Sequence, residues 1–326
     1  MSLKIALRVD GDHNIGMGHV YRSINLAREL KNQKNKIIFL TKNLRIKKML
    51  PKSYDFILLP KNNLKKEKEI IKKLNIDIAV IDKLEERTSI ISILLQNCNK
   101  VFAIDYIGKN KNLIKHGINS LYQKSGILNI DSFSGFSFAI INPKFTKNKT
   151  TSVKKKVKSI LVLQGGADTL CFTPKIINAL NLLKDDFKIT VVLGSSFKCW
   201  KKLRRSQKYG TKSLRILHNV KNMPSIMAKH DIAITGGGIT LLELCCVGTP
   251  SLIVCGAQFE NETANLLQKK GFGINLGFGN QLQEKKIAWY TKRLLSNYNK
   301  RKKMNKIGRA LIDGKGSKRV AKIITT

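Results

Sequence analysis

The feature that most constrains the fold is an alternation of short apolar runs with helical patterns, which starts twice along the chain. In the first half these runs predict strands at 5–9, 36–40, 56–59, 76–81, 101–104, 118–122 and 138–141. In the second half they predict strands at 159–163, 189–193, 214–217, 231–235, 251–254 and 273–276. Strands that alternate with helices are typical of parallel sheets covered on both faces. The sequence therefore predicts an α/β fold with two doubly wound, Rossmann-like parallel-sheet domains.

The boundary between the two domains is predicted from length and composition. The chain has 326 residues, more than one hydrophobic core usually serves. Residues 145–158 are polar, rich in Lys and Thr and without periodicity, as expected of a linker. We therefore predict an N-terminal domain over 1–150 and a C-terminal domain over 151–326 that includes the C-terminal helices. Clefts between domains are favoured ligand sites.

The formal net charge of +40 raises the question of an anionic partner. Of the 61 basic residues 49 are lysine, scattered along the chain, and basic runs such as 154–156 and 300–303 contain no interleaved aromatic residues. This pattern indicates a solvated lysine coat and no specific nucleic-acid partner. Attraction to anionic substrates, or weak peripheral contact with an acidic membrane surface, stays open.

The apolar runs and the cysteines indicate the cellular compartment in which the protein is expected. The apolar runs are too short for stable membrane insertion, and the N-terminus leads straight into a strand without a signal-peptide pattern. The six cysteines show neither CxxC nor Cys/His metal spacing. We therefore expect a cytoplasmic protein with buried free thiols, without disulfides and without structural zinc.

A glycine-bearing loop follows the first predicted strand and leads into a helix. The segment from Arg8 to Arg22 reads RVDGDHNIGMGHVYR and places His19 at the helix entrance. Ligands of open α/β sheets bind beyond the carboxyl ends of strands, and a histidine there can act as a general base. A tight turn with a locally packed histidine explains the loop equally well. His13 is a second candidate base, and Asp10, Gly16 and Gly18 are candidate substrate contacts.

Two further glycine signals follow strands of the second half. Gly165 and Gly166 end the first of these strands, where an ordinary turn is as good an explanation as close approach to a ligand. The stronger signal is the run Gly236–Gly238, followed by Thr240 and Glu243 at the start of a helix. Backbone N–H groups there suit a diphosphate, and Glu243 could accept hydrogen bonds from a ribose diol. Neither G-x-G-x-x-G nor a Walker lysine is present.

These motifs together carry a family resemblance. The run G-G-G-x-T-x-x-E-x-x-x-x-G-x-P is similar to the nucleotide-sugar site of MurG-type glycosyltransferases, which have the two-domain GT-B architecture. With GMGHVYR at 16–22, GFSFAIINPKF at 135–145 and QGGAD at 164–168, the chain more narrowly resembles the UDP-sugar hydrolases of the pseudaminic-acid pathway. The resemblance covers about residues 4–276. It departs from the family pattern at Tyr106, at 142–145 and at 258–262.

The resemblance implies a specific chemistry. His19 would activate water for attack on the anomeric carbon of UDP-2,4-diacetamido-2,4,6-trideoxy-β-L-altropyranose or a related UDP-sugar, with inversion and release of UDP. No metal and no cofactor would take part. Asp10 or Asp12 would orient His19 or bind sugar hydroxyls. The following residues would contact the substrate: Asp10, Gly16, Gly18, Arg22, Gly165, Gly166, Gly236, Gly237, Gly238, Thr240 and Glu243. A glycosyltransferase of the same fold and a non-catalytic UDP-sugar-binding protein are the alternatives.

Overall fold

The computed structural model describes residues 2–11, 16–129, 131–150, 152–194, 196–210, 212–218 and 220–326. Its contacts divide the chain into two compact units. Of the described residues, the first comprises 2–11, 17–142 and 315–326, and the second comprises Gly16 and 143–314.

The described part of the first unit is built on a parallel sheet in the order β3-β2-β1-β4-β5-β6-β7. The strands are β1 Lys4–Val9, β2 Lys36–Thr41, β3 Asp55–Leu58, β4 Ile78–Asp82, β5 Lys100–Ile104, β6 His116–Asn119 and β7 Ser132–Ser134. The helices are α1 Gly18–Asn32, α2 Leu64–Lys73 and α3 Thr88–Asn97. Alternate β1 residues enter two separate cores: Ile5 and Leu7 join one, and Ala6 joins the other. Burial on both faces explains why such strands are almost continuously apolar.

The described part of the second unit repeats this plan with the order β10-β9-β8-β11-β12-β13, again parallel. The short helix α4 covers Lys144–Lys147. The strands are β8 Ser159–Leu163, β9 Lys188–Leu193, β10 Leu214–His218, β11 Ile232–Thr235, β12 Ser251–Cys255 and β13 Ile274–Phe278. The helices are α5 Phe172–Asn181, α6 Trp200–Lys208, α7 Met223–Lys229, α8 Ile239–Val247, α9 Gln258–Lys269, α10 Glu284–Ser296 and α11 Tyr298–Leu311. The two predicted doubly wound α/β domains are thereby confirmed.

Each sheet reverses its strand order at one place, and these two places position the candidate site residues. In the first unit the chain runs outward from β1 to β3 and then returns to β4 on the other side of β1. In the second unit it does the same between β8 and β11. Loops beyond the carboxyl ends of strands diverge at such a reversal and leave a crevice in which ligands bind. We name these places the first switch point (β1/β4) and the second switch point (β8/β11).

The last helix, α12 (Gly316–Thr325), corrects the predicted domain boundary at the C-terminus. It belongs to the first unit, where Val320, Ala321 and Ile324 share a core with the apolar face of α1. A side chain at Gly316 would collide with the backbone of Ala139, so glycine is needed for this close approach. The sequence pattern predicts the helix but contains no information on which core receives it.

Two further predictions are wrong. The apolar run at 138–141 is no strand, because Phe136–Phe138 form a 3-10 helix and 139–142 have no regular structure. Its apolar residues are buried all the same, and burial alone does not distinguish a strand from a packed loop. The expectation of no disulfide also fails, since Cys171 and Cys199 are bonded, with Cα atoms 5.7 Å apart. The two cysteines are 28 residues apart in the sequence, so no local pattern indicates their pairing. The bond joins the starts of α5 and α6.

No described helix is long and apolar enough to cross a bilayer.

Candidate functional site

A histidine–aspartate pair lies at the first switch point. His19 is the second residue of α1, directly after the loop that follows β1, and Asp82 is the last residue of β4. His19 Nδ1 lies 2.8 Å from Asp82 Oδ1, and the histidine side chain is 13% exposed. A carboxylate on Nδ1 fixes the orientation of the ring and leaves Nε2 to exchange protons with a ligand. The predicted base is therefore held as a general base needs to be held.

A buried arginine supports this pair from behind. The Arg22 guanidinium, one helical turn after His19, lies between Asp82 and Asp105, and all three side chains are at most 2% exposed. Asp105 also accepts hydrogen bonds from the backbone N–H groups of Ser120 and Leu121, at 2.7 and 2.8 Å. Burial alone would raise the pKa of Asp82, but the charge of Arg22 and the hydrogen bond from His19 outweigh it and hold the pKa at about 2. Arg22 was predicted to contact substrate; its burial makes it a positioning residue instead.

Asp10 does not orient His19, contrary to one of its two predicted roles. Its Oδ1 accepts hydrogen bonds from Thr41 Oγ1 and the Lys42 N–H, at 2.9 and 2.8 Å. Its Oδ2 forms ion pairs with Arg8 and Lys83, at 2.6 and 3.0 Å. Burial opposes ionisation of this carboxyl, yet the hydrogen bond and charge of Arg8 lower its pKa. Asp10 therefore ties β1 to its neighbours, and Asp82 takes the orienting role.

Part of the first loop lies outside the described residues. The candidates Asp12 and His13 fall in this gap. Gly16 has a φ of +77°, a conformation that favours glycine, and no atom lies within 4 Å of the position a Cβ would take. Gly18 begins α1. Contact of Gly16 and Gly18 with a substrate stays a prediction.

The second switch point has unpaired polar groups where the first has paired ones. Helix α8 begins directly after Gly238, and among the described residues the N–H groups of Ile239 and Thr240 have no acceptor. The Thr240 hydroxyl is likewise without a partner there. Glu243, one turn along the helix, is partly buried and forms no hydrogen bond or ion pair with a described residue. Burial raises the pKa of Glu243 to about 8. Such a helix start, with a carboxylate beside it, suits an anion that also carries hydroxyls.

One amide of the triple glycine is already in use. The Glu260 carboxylate, in the first turn of α9, accepts hydrogen bonds from the N–H groups of Gly237, Gly256 and Ala257. A Cβ at Gly237 would lie 2.6 Å from the Glu260 carbonyl oxygen, so this position requires glycine for packing. Gly237 is therefore removed from the predicted diphosphate contacts. The remaining candidates are Gly236, Gly238 and the first turn of α8.

The loop after β8 completes the second switch point. Gln164 lies beside Gly236, since its Oε1 is 3.3 Å from the position of a Cβ there. Gln164 Nε2 and Thr235 Oγ1 are buried, and neither has a hydrogen-bond partner in the part of the chain that the structure describes. Gly165 is exposed, with a φ of +68°, whereas Gly166 packs against Gly194 of the next loop. Orphaned buried polar atoms are uncommon, and here they lie where a ligand is expected.

Sequence reasoning missed the importance of Asp82 and Glu260. Asp82 ends the apolar run IAVID, and an acid directly after a buried strand next to β1 is a usable signal. Glu260 has no such signal, because its contact with Gly237 joins residues from different loops. Within the described residues no group of three or more His, Cys, Asp or Glu side chains is arranged to hold a metal ion.

Comparison with known proteins gives a family match and distant structural likenesses. The family described as "Glycosyltransferase family 28 C-terminal domain" matches residues 159–322. MurG of Acinetobacter baumannii has a similar structure, with a TM-score of 0.74 over 99% of both chains. The sequence identity is 13%, so this likeness shows the fold alone.

Two curated proteins are similar in sequence. The spore coat polysaccharide biosynthesis protein SpsG of Bacillus subtilis is 27% identical over 337 residues, covering 99% of this chain and 98% of its own length. An uncharacterized protein of Methanocaldococcus jannaschii is 30% identical over 288 residues, which is 82% of this chain. The chain spans 59% of the length of that archaeal relative.

Proposed function

Because the chain belongs to the family of the glycosyltransferase family 28 C-terminal domain, we propose that it is an enzyme that uses a UDP-sugar in polysaccharide biosynthesis. The family match covers the unit with the open helix start at α8, and the relative SpsG is named for spore coat polysaccharide biosynthesis. The reaction proposed is transfer of the glycosyl group from the nucleotide to an acceptor hydroxyl.

The observation that carries the enzymatic part is the contact between His19 Nδ1 and Asp82 Oδ1. In the proposed reaction Nδ1–H donates to Asp82, and Nε2 takes the proton of the attacking hydroxyl. The attacking oxygen bonds to the anomeric carbon with inversion, the bond from that carbon to the diphosphate oxygen breaks, and UDP leaves. The imidazolium that forms faces the Asp82 carboxylate, which stabilises its charge.

The second unit supplies the nucleotide contacts in this proposal. The N–H groups that begin α8 and the Thr240 hydroxyl donate to the diphosphate, whose negative charge is favoured at a helix N-terminus. Glu243 accepts hydrogen bonds from the ribose hydroxyls. Gln164 donates to the ligand through Nε2, which has no partner among the residues described.

Hydrolysis is the second candidate reaction, with water in place of the acceptor hydroxyl. The motifs at 16–22, 135–145 and 164–168, which resemble those of the pseudaminic-acid pathway hydrolases, favour it. The family match favours the transferase instead. The same His19–Asp82 pair serves both reactions, so the geometry of the base does not separate them.

Release of UDP from a panel of UDP-sugars separates these functions. The purified protein is assayed with and without glycan acceptors, beside a His19→Ala variant. Release that requires an acceptor supports the transferase, and acceptor-free release that depends on His19 supports the hydrolase. Binding of UDP without turnover under any condition contradicts an enzyme and leaves the non-catalytic alternative. Absence of UDP binding contradicts the whole proposal.

A further inference from the structure

The Glu260 carboxylate lies among four glycines of the second switch point. Its Oε2 is 2.7 Å from the N–H nitrogen of Gly256. Its Oε1 is 4.0 and 3.9 Å from the positions that Cβ atoms would take at Gly236 and Gly238. Gly237 also donates its N–H to this carboxylate. A carboxyl group of the protein thus occupies the loop in which an anionic ligand is expected.

Helix capping explains only part of this arrangement. A glutamate at the third position of a helix commonly reaches back to the N–H groups at the helix start, and Gly256 and Ala257 are in that position for α9. Gly237 belongs to a different segment, between β11 and α8, and its bond to Glu260 is not needed to cap α9. The third bond therefore ties the start of α9 to the triple glycine.

The carboxylate and a diphosphate would compete for the same surroundings. Both are anions, both need N–H donors, and two negative charges a few ångströms apart repel strongly in a site shielded from water. Burial outweighs the three backbone hydrogen bonds and raises the pKa of Glu260, so its charged form is already disfavoured before a ligand arrives.

We propose that Glu260 is a built-in competitor for the diphosphate, which weakens the binding of UDP at the triple-glycine loop and so favours its release after the reaction. This inference depends on the proposed function, because it takes a nucleoside diphosphate as the ligand. It adds a residue that acts on affinity for the phosphates and not on affinity for the nucleoside.

The test compares UDP with uridine, which has no phosphate. Dissociation constants are measured by calorimetry at one fixed pH for the wild type, for Glu260→Gln, and for Glu284→Gln as the control. Glu284 is also a glutamate in the first turn of a helix of this unit, so the control removes the same charge from a similar position. We expect Glu260→Gln to bind UDP about 5–30-fold more tightly, with uridine affinity changed less than twofold. Glu284→Gln should match the wild type for both ligands.

Each other outcome has a definite meaning. Unchanged or weaker UDP binding by a folded Glu260→Gln variant overturns the inference and leaves Glu260 as a helix cap. An equal gain for uridine also overturns it, because the effect would then not concern the phosphates. If Glu260→Gln does not fold, Glu260→Ser removes the same charge with a smaller side chain and is judged by the same ratio of affinities. If the wild type binds neither ligand, the proposed function fails and not only this inference.

Discussion

The two switch points have the same topology, but they differ in whether their polar side chains have partners among the described residues. At the first, His19, Arg22, Asp82 and Asp105 pair with one another, and the arginine and both carboxylates are almost fully buried. At the second, neither Glu243 nor Gln164 Nε2 has a hydrogen-bond partner among the described residues. A catalytic group has to be held before substrate arrives, whereas a binding surface has to keep polar groups for its ligand. This difference is what the proposed function requires, with a base held in place in the first unit and a nucleotide-binding surface in the second.

Replacement of the base should have the largest effect. We expect His19→Ala to lower turnover by about 10²–10⁴-fold, as loss of general base catalysis does, with UDP affinity within a few-fold of the wild type. Steady-state kinetics and calorimetry measure the two quantities. His116→Ala is the control, because His116 begins β6, two strands away from β4, and packs on Phe102. Near-normal turnover of His19→Ala would show that another group is the base.

Removal of the Asp82 charge tests whether the paired side chains of the first switch point stabilise the folded protein. Asp82→Asn leaves the buried Arg22 with one carboxylate in place of two, and breaking a buried pair costs about 3–5 kcal/mol. We expect the free energy of unfolding to fall by about 3 kcal/mol, measured by urea denaturation, together with a fall in kcat. Asp55→Asn removes the charge of an exposed pair with Lys36 and should cost less than about 1 kcal/mol. Equal costs for the two variants would refute the comparison.

Removal of the unpaired carboxylate should affect the ligand and not the fold. We expect Glu243→Ala to weaken UDP binding by about 1–3 kcal/mol, because a partly buried ribose would lose its acceptor. Binding of inorganic pyrophosphate, which has no ribose, should be unchanged. Calorimetry with both ligands, and with Glu284→Ala as the control, decides the assignment. Equal losses for UDP and pyrophosphate would contradict a ribose contact.

The raised pKa of Glu243 should also make the free energy of unfolding depend on pH. The pKa of Glu243 is about 8 in the folded state against an ordinary value of 4.5, so between these pH values the folded state holds a proton that the unfolded state has lost. Stability from this group is therefore present at low pH and is lost as pH rises from about 4.5 to about 8. We expect the wild type to lose about 1–2 kcal/mol relative to Glu243→Gln over that window. Parallel stability curves for the two proteins would show that burial does not perturb Glu243.

The smallest effect is expected for Gln164. Its Nε2 makes no hydrogen bond with a described residue, so Gln164→Met should leave the free protein as stable as the wild type or about 1 kcal/mol more stable. If Nε2 donates a hydrogen bond to UDP, the variant should bind UDP about threefold to tenfold more weakly, which corresponds to about 1 kcal/mol. Thermal denaturation with and without UDP measures both changes. A clear loss of stability without UDP would mean that the amide already has a structural partner.

Predictions for the fold succeeded where a residue's neighbours along the chain determine its state. The glycine, threonine and acid after β11 predicted the start of α8, and Gly248, with a φ of +87°, ends that helix as predicted. The run at 138–141 failed because apolar residues pack equally well in a loop under α12. The sequence-based candidates for orienting His19 are Asp10 and Asp12, yet the carboxylate that contacts His19 is Asp82, 63 positions away.

By itself, the sequence determined two βα repeats, the place of each loop after its strand, and the residues with chemistry to offer. Local propensity and apolar periodicity suffice for this, since both act over a few residues. Only the tertiary structure decided that Asp82 and not Asp10 contacts His19, that Arg22 is buried between two carboxylates, and that Glu260 enters the triple glycine. These contacts depend on which strands become neighbours, and that choice is made by burial of the whole sheet.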